Sequence, residues 1–438
     1  MKRSLLSDLI AWKNSTQRKP LILQGARQTG KTWLLKEFSR TQYDSVAYIS
    51  MDDNRQMQAV FAAGFDIPRI LQAVQLECGI KPEPGRTLII FDEIQEIPLA
   101  LKSLKYFCEN APEYHIAAAG SLLGLACHQG VSFPVGKVDF LNLYPLSFCE
   151  FLEAVDSGKG TALADVLRRN DTVLMSAYNT EYTDLLKKYL YIGGMPEAVR
   201  AFAANTDFAG VRKIHESILR AYDFDFSKHA GMDMGERIRQ VWKSLPAQLG
   251  RENRKFLYGL VKAGARAREY ETALQWLSDA GLVYRVHNVT KPALPLISYE
   301  DAGAFKFYAL DTGLLATMSG LEAKTILEGS TIFTEYKGAL TEQYVLQELL
   351  AQAGLMPSYW SQSDSKAEID FLVQKAGQVI PVEVKSAENL QAKSLKSYCE
   401  KFVPATAVRT SLSGFRQEAA FFNVPLYDIG CWLKQLQP

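Results

Sequence analysis

Short apolar runs at residues 21–23, 46–49, 88–91 and 116–119 recur between segments with helical spacing. That alternation predicts a parallel α/β sheet. Residues 124–144 carry Gly and Pro breaks, and 145–230 read as mainly helical around the turn Gly193-Gly194-Met195-Pro196, the pattern of a helical lid. Three short helical patterns follow at 237–250, 253–263 and 270–279, then strand-like runs at 282–289 and 305–310. Three helices and a hairpin predict a winged helix. The last stretch has the order α-β-β-β-α-β: a helix over 338–353, Tyr359-Trp360, strands over 367–374 and 379–385, a helix over 390–402 and a strand over 405–408. The expected organisation is therefore a parallel α/β core over 1–145, a helical lid over 146–232, a winged helix over 233–320 and an α/β domain over 321–438.

Composition narrows the function classes. With 49 Lys+Arg against 48 Asp+Glu the net charge is +1, so a nucleic-acid partner has to be argued from local features. Hydrophobic residues at 47% and charged residues at 22% exclude a largely disordered chain. No apolar stretch approaches the ~20 residues that span a bilayer, so no membrane association is expected. Asp8 and Lys13 interrupt the first apolar run, and export is not expected. Six scattered cysteines without a C-x-x-C pair argue against structural zinc and for a reducing, cytoplasmic setting.

The chemistry starts at Gly25-Ala26-Arg27-Gln28-Thr29-Gly30-Lys31-Thr32, a complete G-x-x-x-x-G-K-[ST] loop between a strand and a helix. Backbone N–H groups of such a loop wrap phosphates, Lys31 reaches the β/γ-phosphates, and Thr32 holds Mg²⁺. The strand 88–91 ends in Asp92-Glu93: Asp92 would bind Mg²⁺ through water and Glu93 would polarise the attacking water. Gly120-Ser121 ends the next strand and puts a hydroxyl near the γ-phosphate. ATP and Mg²⁺ are the expected cofactors.

These motifs occur with Asp92-Glu93-Ile94-Gln95, Ala119-Gly120-Ser121, the segment Ser132 to Lys137, Tyr144-Pro145-Leu146-Ser147-Phe148 with Glu150-Phe151, and Gly193-Gly194-Met195-Pro196-Glu197. Together they resemble the prokaryotic AAA+-like ATPases that carry a C-terminal domain of uncharacterised function. The resemblance covers essentially the whole chain and implies ATP binding, Mg²⁺ and an N-terminal AAA-type domain. Many relatives have Arg after the sensor strand, where an arginine finger would sit; this chain has Lys137, which lacks the planar fork.

Alternation in the C-terminal strands puts Glu368 and Asp370 on one face, and Glu383 and Lys385 on one face with Ile380, Val382 and Val384 behind. That arrangement resembles the PD-(D/E)XK nuclease core, with Asp370 and Glu383 as Mg²⁺ ligands and Lys385 orienting water and stabilising phosphorane charge. Glu342 lies beside the apolar stripe of its helix and is the expected further metal ligand, with Glu348 a second candidate. Salt bridges on a strand face are the structural alternative.

Between Glu236 and Arg268 nine basic residues (237, 239, 243, 251, 254, 255, 262, 266, 268) face two acidic ones, a local +7 suited to DNA backbone contact. The third helix has no basic residue over 270–279, so shape or backbone binding is expected rather than base reading. The functional expectation is an ATP-hydrolysing DNA-processing protein, able to form homo-oligomers, with a Mg²⁺-dependent nuclease-like domain. The alternative is a nucleotide-dependent signalling or defence switch in which that domain is a binding module.

Overall fold

A computed structural model describes residues 1–121, 133–251, 254–328, 334–362, 367–386 and 392–437, without the side chains of 229, 334 and 335. It divides into two compact units: Lys2–Tyr144 with Asp279–Leu282, and Pro145–Ser278 with Val283–Pro438. The expected lid, winged helix and C-terminal segments fall largely within the second unit.

In the first unit, β1 (Leu21–Gln24), β2 (Ser45–Ser50), β3 (Thr87–Asp92), β4 (His115–Ala119) and β5 (Asp139–Asn142) form a wholly parallel sheet in the order β2-β3-β4-β1-β5. Alternate residues face opposite layers. Ile22, Ile89, Phe91, Ile116 and Ala118 pack with Leu101, Leu104 and Phe107, while Leu21, Leu23, Leu88, Ile90 and Ala117 pack with Leu9, Leu34, Leu35 and Phe38. Burial on both faces is why the central strands read as apolar runs. The edge strand β5 escaped the sequence reading because its exposures alternate along Asp139-Phe140-Leu141-Asn142 and it follows Gly and Pro breaks. The parallel α/β core expected for the first 145 residues is present.

The second unit begins with helices, among them Phe148–Val155, Asn179–Ile192, Phe208–Ala230 and Met232–Leu249. Ser147 and Glu150 close a capping box on the first. The Gly193-Gly194 turn exists for a buried acid: a Cβ on Gly193 would lie 2.1 Å from Asp311 Oδ1, and Gly194 N–H donates to Asp311 Oδ2 at 2.6 Å. Burial raises the Asp311 carboxyl to about 6 despite these donors.

An eight-stranded sheet completes this unit, in the order β12-β13-β11-β10-β9-β8-β6-β7. Its strands are β6 (Val283–Val289), β7 (Glu300–Ala309), β8 (Ser358–Ser361), β9 (Glu368–Lys375), β10 (Gln378–Val384), β11 (Val408–Ser411), β12 (Arg416–Gln417) and β13 (Phe422–Pro425). The hairpin β6/β7, expected as the wing of a separate domain, joins the C-terminal strands through the pairing of Asn288 with Tyr359.

Three local expectations change. Among the described residues of the helix expected over 253–263, only Tyr258–Val261 is helical; Phe256 N–H instead donates to Phe305 O at 2.8 Å and the rings stack 5.3 Å apart. Packing on the hairpin outweighs a weak helical pattern. The strand expected at 405–408 lies at Val408–Ser411, because Arg409 is buried and bonds Asn423 Oδ1 at 2.9 Å and Glu418 Oε1 at 2.5 Å. β13 and the final helix Ile429–Gln435 extend the fold beyond the expected last strand.

Candidate functional site

With β4 between β1 and β3, the C-terminal ends of three neighbouring strands meet at one edge, where parallel α/β sheets bind ligands. The phosphate loop leaves β1, Ser121 lies just beyond β4, and Asp92-Glu93 ends β3. Gly25 has φ +147°, and a Cβ there would lie 2.3 Å from Leu143 O, so the loop's tight approach to that carbonyl requires glycine. Gln28 (φ 66°) and Glu93 (φ 51°) are left-handed without being glycine. Such residues cost of order 1–3 kcal/mol each and persist where surroundings hold them.

The holding contacts are specific. Arg3, buried, donates from Nη1 to Thr29 O at 2.9 Å and from Nη2 to Tyr144 O at 2.5 Å, and Thr29 Oγ1 donates to Ala26 O at 2.9 Å. Lys31 opens the helix Lys31–Gln42 and its Nζ donates to Gly25 O and Ala26 O, both at 2.8 Å. Burial lowers the Lys31 ammonium to about 8, with Glu93 and Asp92 opposing the shift and Arg27 adding to it. Thr32 Oγ1 donates to Asp92 Oδ2 at 2.7 Å, and Tyr48 OH donates to the same oxygen at 2.9 Å. Glu93 Oε2 accepts from Gln95 Nε2 at 2.6 Å and from Ser121 Oγ at 3.4 Å, while Arg27 Nε donates to Ser121 Oγ at 3.2 Å.

This donor set fits a nucleoside triphosphate. A loop kept clear of side chains at Gly25, an ammonium resting on loop carbonyls and a hydroxyl–carboxylate pair at Thr32 and Asp92 are the parts phosphates and a hard cation use. Sequence reasoning gave no site role to Arg3, Tyr48 or Gln95, although Gln95 stands in the quoted run Asp92-Glu93-Ile94-Gln95, two residues beyond Glu93. The segment expected to house a finger includes Ser132, which lies outside the described residues, and Lys137, whose Nζ pairs with Glu109 at 3.0 Å.

The C-terminal acids are arranged differently from expectation. Ser358 pairs with Leu372 but Trp360 with Ile369, so β9 carries an extra residue there. Ile369 and Leu372 therefore both face the helix Lys393–Phe402, and Glu368 and Asp370 face the other layer. Glu368 meets buried Lys306 at 2.5 Å. Glu342, on the helix Thr334–Ala351, pairs with Arg254 and accepts from Tyr308 OH at 3.1 Å, with Lys306 Nζ 3.9 Å away. Burial alone would raise the Glu342 carboxyl, but Arg254 and Lys306 outweigh it and hold it below its usual range. Burial, with the Glu342 charge, pushes the Asp370 carboxyl well above its ordinary value; its Oδ2 accepts Val384 N–H at 2.7 Å.

Glu383 has other neighbours. Val379 packs on the helix Lys393–Phe402, alternation carries Glu383 to that face, and burial with the Glu383 charge raises the Cys399 thiol there. Lys385 Nζ pairs with Glu383 at 2.8 Å. The expected metal set Glu342, Asp370 and Glu383 is thus split between two faces by the bulge. Around Glu342 the carboxyl groups of Glu342, Glu368 and Asp370 face two cations, Arg254 and Lys306, each already paired with a carboxylate. Among the described residues no group of three His, Cys, Asp or Glu could hold a metal. A nuclease metal does not fit here. Glu348, the second candidate, is buried and accepts Phe148 N–H at 2.7 Å.

The basic segment also divides. Arg254 belongs to the buried cluster, and Arg239 pairs with Asp223 at 2.6 Å and Glu236 at 2.9 Å. Lys243, Arg251, Lys255, Lys262, Arg266 and Arg268 are exposed. Glu252 lies outside the described residues.

A parallel five-stranded sheet with a phosphate loop after β1 and an acidic pair after β3 gives the first unit the architecture of a P-loop ATPase core. Residues 17–152 match the family described as AAA domain. Residues 183–325 match Domain of unknown function (DUF8612), and 337–428 match Domain of unknown function (DUF4143). The chain is 28% identical over 386 residues to the uncharacterized protein Rv2008c of Mycobacterium tuberculosis and, at the same identity, to the uncharacterized protein Mb2031c of Mycobacterium bovis, covering 85% of this chain and 72% of each relative. Among solved structures, the Thermotoga maritima RuvB Holliday junction branch migration motor is similar at 15% identity and TM-score 0.30, over 64% of this chain and 87% of that one. The Aeropyrum pernix ORC1 protein in complex with DNA is similar at 13% identity and TM-score 0.26, over 72% of this chain and 90% of that one.

Proposed function

We propose that the chain is an ATP-hydrolysing protein that grips DNA through its backbone, and that its nuclease-like C-terminal region binds rather than cuts. The carrying observation is the meeting of Lys31, Thr32, Asp92, Glu93 and Ser121 at one sheet edge. Mg²⁺, held by Thr32 and Asp92, would supply charge neutralisation at the phosphates. Lys31 binds phosphate, the loop N–H groups orient it, and Glu93 accepts the proton of the attacking water. Exposed Lys243, Arg251, Lys262, Arg266 and Arg268 support a sequence-independent DNA contact.

The second reading, a nucleotide-dependent switch in which the nuclease-like fold is a binding module, draws on the same ion-paired cluster around Glu342. A cytoplasmic setting and a homo-oligomer belong to the proposal; among the described residues no helix is long and apolar enough to cross a membrane. The test is ATP turnover with Mg²⁺ and labelled duplex, single-strand and branched DNAs. DNA-stimulated phosphate release without strand cleavage supports the gripping reading. Turnover indifferent to every DNA, with ATP-dependent assembly, supports the switch, and Mg²⁺-dependent cleavage restores the nuclease.

A further inference from the structure

The loop contains a second cation besides Lys31. Arg27 lies two residues after Gly25, and its Nε donates to Ser121 Oγ at 3.2 Å. Ser121 in turn donates to Glu93 Oε2 at 3.4 Å, the oxygen that also accepts from Gln95. A three-residue relay therefore runs from the phosphate loop, across the end of β4, to the acid at the end of β3.

The expected alternative source of charge lies elsewhere. Lys137 sits just before β5 and pairs with Glu109, near the end of the helix Pro98–Asn110 that leads into the start of β4. Both flanking strands begin there. Lys137 is thus at the edge of the sheet opposite the phosphate loop of its own chain.

We propose that Arg27 supplies, from within the phosphate loop, the guanidinium that faces the terminal phosphate during hydrolysis, and that its bond to Ser121 sets Glu93 for the attacking water. The inference rests on the ATPase reading and specifies where its transition-state charge comes from. In the step, the water oxygen bonds to the γ-phosphorus as the bond from that phosphorus to the β–γ bridging oxygen breaks. The water proton passes to Glu93, and the bridging oxygen leaves with ADP. Charge spreads over the γ-phosphoryl oxygens, where a planar guanidinium is most effective.

The experiment uses the full chain with Mg²⁺ and ATP, with and without DNA, reading phosphate release across a range of protein concentrations and nucleotide binding with a fluorescent ATP analogue. Turnover per molecule should not depend on protein concentration. Arg27→Gln should lower kcat by about 10³, within the range known for arginine fingers, while analogue affinity changes less than about tenfold. Arg27→Lys should recover part of the loss, and Ser121→Ala should lower kcat with binding retained. Mixing Arg27→Gln with Lys31→Ala protein should not restore turnover, since neither copy lends the other its missing group. Restoration on mixing, or wild-type kcat in Arg27→Gln, overturns the inference while leaving the ATPase reading intact. A wild-type chain that releases no phosphate under any of these conditions overturns both.

Discussion

Lys306 Nζ lies 2.5 Å from Glu368 Oε1, and its side chain is sealed from solvent. With Arg254 on Glu342, this pair occupies the place where the sequence pattern anticipates a metal. An ammonium in that position supplies positive charge to the same acids that a divalent ion would otherwise meet.

The cluster makes its members unequal in mutagenesis. Arg254→Ala or Lys306→Met leaves a buried carboxylate without its counter-ion and should cost about 3–5 kcal/mol in thermal or denaturant unfolding. Asp370→Asn places a neutral side chain with donor and acceptor there and should cost less than about 1 kcal/mol. Equal, large losses for all three would contradict the upward shift of the Asp370 carboxyl. No divalent cation should produce strand cleavage in the wild type.

Glu93→Gln removes the proton acceptor but keeps the side-chain volume and an oxygen for the Gln95 and Ser121 donors. ATP binding should be retained and phosphate release should fall by about 10²–10⁴. Release at the wild-type rate would take the general-base role away from Glu93.

Burial holds Lys31 at about 8, below its ordinary 10.5, in the nucleotide-free chain. Phosphates restore the preference for the ammonium, so ATP binding near pH 8.5 should take up protons and affinity should fall as pH rises through 8. Calorimetry in two buffers of different ionisation enthalpy reads the uptake directly. For folding the sign is opposite: between 8 and 10.5 the unfolded chain binds more protons, so this group adds stability as pH rises. Proton release on ATP binding would contradict the assignment.

Charge reversal of Arg251, Lys262, Arg266 and Arg268 should weaken DNA binding to all sequences alike and flatten its salt dependence. Arg254→Glu belongs to a different experiment. Its effect should appear in unfolding, because Arg254 faces Glu342 rather than solvent. An unchanged salt slope in the fourfold variant would move the exposed patch to a protein interface.

Most of the candidate nucleotide site was legible. Apart from Ser121, the residues named for it lie in two short runs, Gly25–Thr32 and Asp92-Glu93, each adjacent to the strand that positions it, and such local geometry is written in consecutive residues. Arg3 was not legible, because its role is to bond Thr29 O and Tyr144 O from far along the chain. Tyr48 looked like one more apolar strand residue until the pairing of β2 with β3 brought its hydroxyl to Asp92.

For the C-terminal region the pattern named the right residues and the wrong partners. Period-two spacing places Glu368 with Asp370 and Glu383 with Lys385; Lys385 meets Glu383, whereas Glu368 meets Lys306. Which face each pair occupies depends on one extra residue in β9, and a bulge leaves no mark in a run where both neighbours are apolar.

By itself, then, the sequence determined a phosphate-binding loop, its acidic partner and a parallel sheet to carry them, because backbone geometry at a strand end follows from adjacent residues. Tertiary structure alone decided that Arg254 and Lys306, far from Glu342 and Asp370 in the chain, would reach those acids first. Buried charges take whatever counter-charge the fold delivers, and that delivery is a property of packing rather than of spacing.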